Sequence, residues 1–123
     1  MKKYILIIIA VFTFAAVQGQ EKSDTKKESK IVETTFKVDG VCGECKERIE
    51  AAAMRTKGVK SASWDKKTKM LDLVYNNTKT DESSIKLAVA NRGHESEGQP
   101  ADSTAYSNLP GCCKYKDGAK CHN

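Results

Sequence analysis

The sequence predicts an α+β fold in which an antiparallel sheet is covered on one face by two helices, in the order βαββαβ. Three observations carry this: an alternating segment from Ile31 and β-rich segments from Val59 and Met70, two segments of helical periodicity, and glycines where each helix must stop. In the first strand Val32, Thr34, Phe36 and Val38 alternate with Glu33, Thr35 and Lys37, the period of a strand with one face buried. After the Asp39-Gly40 turn, residues 44–56 are rich in helix formers, and Ile49, Ala52 and Ala53 share one helical face. Gly58 supplies the stop.

Val59 to Asp65 and Met70 to Tyr75 are β-rich and separated by the polar run Lys66 to Lys69, which predicts a hairpin. Thr80 or Asp81 is placed to cap a second helix whose Ile85, Ala88 and Val89 share a face and which ends near Arg92-Gly93. His94 to Glu97 is a short candidate for the last strand, weak in apolar content. The order matches the split βαβ, ferredoxin-like arrangement.

Around this unit, residues 31–97, the chain divides further. Lys2 and Lys3, the apolar stretch from Tyr4 to Val17, and the small or polar residues to Gly19 have the layout of a secretory signal peptide over residues 1–19. The apolar stretch falls short of the roughly 20 residues that span a bilayer, so cleavage before Gln20 is expected, with no membrane anchor left and a periplasmic or secreted location. Residues 20–30 are charged and lack strongly apolar side chains, which predicts a flexible leader. Residues 98–123 are polar, contain Pro100, Pro110, Gly111 and Gly118, and are expected to be an irregular appendage.

The net charge of +5 falls to +3 once Lys2 and Lys3 are removed, and the basic residues are spread along the chain, which argues against nucleic acid as a partner. No nucleophile, base and orienting group occur together, so the sequence gives no reason to expect an enzyme. The five cysteines carry more information, because an odd number in an exported chain cannot pair off completely within one molecule.

Cys42 and Cys45 stand two residues apart where a strand passes through a glycine turn into a helix. Both sulfurs can face one point there, and the unpaired N–H groups of the helix start favour thiolate over thiol. Such a pair suits Cu(I), mercury and other thiophilic ions, while two thiolates are too few to close the four-coordinate shell of structural zinc. An open site is therefore expected. The same spacing serves thiol–disulfide exchange proteins and plain disulfides, so an exchange protein and a disulfide-stabilised structural domain stand as alternatives.

The stretch from Phe36 to Asn76, FKVDGVCGECKERIEAAAMRTKGVKSASWDKKTKMLDLVYN, followed by IKLAVANRGHE, resembles the heavy-metal-associated domain. That family includes copper chaperones, N-terminal domains of copper-transporting ATPases and periplasmic mercuric-ion-binding proteins. The resemblance covers roughly residues 31–97 and puts the family's metal-binding cysteine pair on Cys42 and Cys45. It implies metal transport or sequestration, with a metal-transporting membrane protein or another metal-binding domain as partner. Where the family usually has a methionine two residues before the first cysteine, this chain has Gly40, which predicts a differently packed loop with Val41 as the filler. His94 falls in the loop that the family fold sets beside the metal loop, and is a candidate third ligand or gate.

The ending LPGCCKYKDGAKCHN holds Cys112, Cys113, Cys121 and His122. These are candidates for a second metal site, for adding sulfur to the first, or for a disulfide from Cys121 to Cys112 or Cys113. Trp64, Phe36, Tyr75 and Tyr106 are expected to be packing residues, and Lys46 and Arg48, beside the metal loop, to steer an acidic partner.

Overall fold

The computed structural model describes residues 30–120. The expected signal peptide, most of the leader, Cys121 and His122 lie outside these residues.

Strand β1 (Ile31–Lys37) leads into helix α1 (Gly43–Arg55), and strands β2 (Val59–Trp64) and β3 (Met70–Asn76) follow as a hairpin before helix α2 (Glu82–Ala90). The sheet order is β1-β3-β2, with both pairings antiparallel. The central strand β3 contributes the buried Leu71, Leu73 and Tyr75, and Phe36 and Trp64 flank Leu71 from either side. Ile49, Ala52 and Ala53 of α1 and Ile85 and Val89 of α2 close the core over this one face of the sheet. Burying these large apolar side chains is the main force holding the layers together.

Local chemistry sets the element ends. The Asp65 carboxylate accepts hydrogen bonds from the backbone N–H groups of Lys67 and Thr68 at 2.7 and 2.8 Å and so shapes the hairpin turn. Asp81 caps α2, accepting from the Ser84 N–H at 2.7 Å. That helix stops at Ala90, slightly earlier than expected, because Gly93 adopts a φ of +93°.

The fourth strand of the expected order is reduced to single bridges, Val38 to Ser96 and Ser96 to Gln99. Its backbone still pairs with the end of β1: the Asp39 N–H donates to the Glu95 carbonyl at 2.8 Å. The chain reverses at Gly98, and only His94 and Ser96 turn inward, so nothing extends the ladder.

The region after Gly98 consists of short pieces: helix α3 (Ser103–Ser107) and 3-10 turns at Gly111–Cys113 and Tyr115–Asp117. It is packed down nonetheless, with Leu109 and Cys113 entering the same core as the sheet. Gly93 lets α3 approach, since a Cβ there would lie 3.0 Å from the Ala105 backbone. The Tyr115 hydroxyl then fastens the end of the tail, donating to the Gly93 carbonyl at 2.8 Å and accepting from the Glu95 N–H at 3.0 Å.

Candidate metal centre

Cys42 occupies the N-cap of α1 in extended conformation, and Cys45 lies in the first helical turn. Residues three apart on a helix are neighbours, and the two sulfurs are 3.6 Å apart. Burial alone would raise the Cys42 thiol, but the amides of Cys45 and Glu44 and the thiols of Cys45 and Cys113 favour its anion and bring it down to about 7. Cys42 is therefore substantially thiolate at neutral pH, as its place at a helix start leads one to expect.

The loop is packed through a residue that the sequence reading assigned only to the core. A Cβ on Gly40 would sit 3.0 Å from two indole carbons of Trp64 and 3.1 Å from the Cys45 Cβ. Trp64 thus fills the space against Gly40 beneath the loop, and its Nε1 donates to the Val38 carbonyl at 3.0 Å. Val41, half-buried, packs against the same core. Lys46 donates to the Trp64 carbonyl at 2.8 Å and pairs with Glu50, whose carboxylate accepts from the Trp64 N–H. Lys46 is thereby engaged within the chain.

The site is not the open pair that spacing suggests, because the tail covers it. Cys113, with no exposed surface, brings its sulfur to 3.7 Å from that of Cys42, and the Cys112 sulfur is 4.0 Å from that of Cys113. The sulfurs of Cys42, Cys112 and Cys113 all lie within 4.8 Å of one another. All four described cysteines are free thiols. Arg48 extends from α1 so that a guanidinium nitrogen is 3.3 Å from the Cys113 sulfur, and the Cys112 thiol donates to the Glu44 carboxylate at 3.3 Å. Burial, and then the neighbouring thiols, push Cys113 far up, while the Glu44 carboxylate raises Cys112. The two tail thiols thus hold their protons more firmly than Cys42 does.

His94 takes a different place. It is fully buried, with Nδ1 2.8 Å from the Asp39 carbonyl oxygen and its ring stacked on Tyr115 at 5.6 Å between centroids. Its Nε2 has no partner among the described residues. Burial lowers its affinity for a proton, so the ring is neutral, with Nδ1–H donating to Asp39. It stands against the tail anchor rather than in the group of three sulfurs.

The Tyr115 anchor and the Arg48–Cys113 contact are the features of the site that sequence reading did not anticipate. The signal for Tyr115 lay in the apolar and aromatic residues Tyr106, Leu109 and Tyr115 spaced through an otherwise polar tail, a pattern that suggests anchoring. For Arg48 no local pattern points to a sulfur 65 residues away.

The family model of the heavy-metal-associated domain matches residues 35–95. Residues 35–95 are a heavy-metal-associated domain. Solved structures of the same fold agree. The CopZ metallochaperone is 27% identical with a TM-score of 0.51, over 53% of this chain and 98% of its own. A copper binding domain from HMA7, a P-type ATPase, is 29% identical with a TM-score of 0.51, over 52% of this chain and 88% of its own. Oxidised MerP from Ralstonia metallidurans CH34 shares the fold at 22% identity and a TM-score of 0.53, over 55% of this chain and 94% of its own. Among curated proteins there is no sequence match. The match ends at Glu95, and the tail that covers the cysteine pair follows it in the chain.

Proposed function

We propose that the chain is an exported protein that binds a soft metal ion, Cu(I) above all, through Cys42 and Cys45, for carriage or sequestration outside the cytoplasm. The observation that carries this is the pair of sulfurs 3.6 Å apart at the start of α1, where neighbouring amides and thiols bring the Cys42 thiol down to about 7. Polarisable thiolates favour Cu(I), mercury and similar ions over oxygen-seeking ones. The likeness to a metallochaperone and to a copper binding domain of a P-type ATPase supports a thiol-to-thiol transfer partner of the same kind. Export is supported by the layout of residues 1–19. The chain does no catalysis in this reading.

Anaerobic titration of the reduced protein with Cu(I) against a chromophoric chelator tests it. About one ion should bind tightly to the pair, and a Cys42→Ser, Cys45→Ser variant should lose it. Failure of the native chain to compete for Cu(I) refutes the reading. The depressed Cys42 thiol beside Cys45 also meets the needs of a thiol–disulfide exchange protein. That reading requires rapid reduction of a test disulfide, measured on the same sample.

A further inference from the structure

The tail delivers two more sulfurs to Cys42 than the domain itself supplies. Resting on the reading of Cys42 and Cys45 as metal ligands, we propose that Cys112 and Cys113 complete the centre, so that the ion is held by three or four thiolates drawn from both ends of the folded chain. The site then accepts thiophilic divalent ions, Cd(II) and Zn(II), as well as Cu(I).

The separations support this. Two thiolates on one tetrahedral ion with bonds of about 2.3 Å lie about 3.8 Å apart, whereas two on opposite sides of a linear ion lie about 4.6 Å apart. The Cys42–Cys45, Cys42–Cys113 and Cys112–Cys113 distances are 3.6, 3.7 and 4.0 Å. All three match the edge of a tetrahedral shell and fall short of the span of a linear pair. Cys42, Cys112 and Cys113 form the group whose sulfurs lie within 4.8 Å of one another, and Cys45, outside that group, joins it through Cys42. The cysteine pair alone cannot satisfy tetrahedral zinc, and the tail supplies what is missing.

Charge points the same way. Three or four thiolates around a monovalent or divalent ion leave a net negative charge in a buried place, which needs a counter-ion. Arg48 already sits 3.3 Å from the Cys113 sulfur, a contact of little use to a neutral structural thiol. The tail sulfurs are also held in place without metal, by Leu109 in the core and by both hydrogen bonds of Tyr115, so little ordering remains to oppose binding.

The test is a sulfur count on the reduced full chain loaded with Cd(II) alone. X-ray absorption at the cadmium edge should give three or four sulfurs. The sulfur-to-cadmium charge-transfer band should fall by about half in a Cys112→Ser, Cys113→Ser variant, as four ligands become two. Because Cys113 is buried, the single Cys112→Ser variant serves as a milder control, and it should lose one sulfur with an unchanged circular dichroism spectrum. Two sulfurs in the native chain, or an unchanged count in both variants, overturns the proposal. Loss of metal on replacing Cys42 and Cys45, with full retention on replacing Cys112 and Cys113, rejects the tail ligands while upholding the pair. Absence of any metal binding by the native chain rejects the pair itself.

Discussion

Cys42 and Cys113, 71 residues apart in the chain, hold their sulfurs 3.7 Å apart in a buried contact. The Cys42 thiol is brought down to about 7, while burial pushes that of Cys113 well above its ordinary range. Alkylation of the metal-free reduced protein should therefore begin at Cys42, with a rate that climbs through a midpoint near pH 7, and Cys113 should stay unmodified until the fold opens. Peptide mapping after short iodoacetamide pulses at several pH values reads both. Initial modification at Cys113 contradicts the assigned geometry.

The same shift has a consequence for stability. A thiol whose folded value lies below its unfolded one stabilises the fold as an anion, so the contribution is present above the unfolded value near 9.0 and lost as pH falls through about 7. Raised Cys113 acts in the opposite sense, and its contribution is lost as pH rises above 9.0. Metal-free protein should thus gain stability from pH 7 toward 9 and lose it at higher pH. Replacing Cys42 with Ser should flatten the rising limb in urea melts.

Gly40 is expected to tolerate no side chain. A methyl group there meets Trp64 and Cys45 at 3.0 and 3.1 Å, distances that force the indole or the loop to move. Gly40→Ala should cost about 1–3 kcal/mol, as overpacking of a core does. Urea unfolding followed by Trp64 fluorescence measures the loss, and a variant as stable as the native chain would show that the loop yields freely.

Tyr115 should be worth more than its ring. Tyr115→Phe keeps the packing on Tyr106 and His94 but leaves the Glu95 N–H and the Gly93 carbonyl without their hydroxyl partner. An unsatisfied buried pair of this kind costs about 1–3 kcal/mol. The effect should be concentrated in the tail, seen as faster alkylation of Cys112 and Cys113 and earlier proteolysis after Leu109, with the sheet protected.

His94 makes the tail sensitive to acid. Its proton affinity is lowered by burial, so the unfolded state binds a proton that the folded state refuses, and stability falls as pH drops below the ordinary value of 6.5. Asp39, Arg48 and Arg92 are the charges that act on it, and the ring of Tyr115 covers one face. His94→Gln should remove the acid limb from thermal melts between pH 7 and 5; an unaltered limb would assign the acid sensitivity to other groups.

Element order and the position of the cysteine pair were legible from residues 31–97 because both rest on short-range physics. Alternation marks β1, β-rich composition marks β2 and β3, 3.6-residue spacing marks α1 and α2, and a Cys-x-x-Cys at a helix start brings two sulfurs together within one turn whatever else the chain does. The weak polar segment around Ser96 was also visible as a poor strand, and it pairs only through isolated bridges. By contrast, the folding of Tyr115 and Leu109 onto the domain, the meeting of Cys112 and Cys113 with Cys42, and the filling of the Gly40 space by Trp64 were decided by tertiary structure alone. Each joins residues distant in the chain, and such contacts depend on which surfaces the core leaves free rather than on any local pattern.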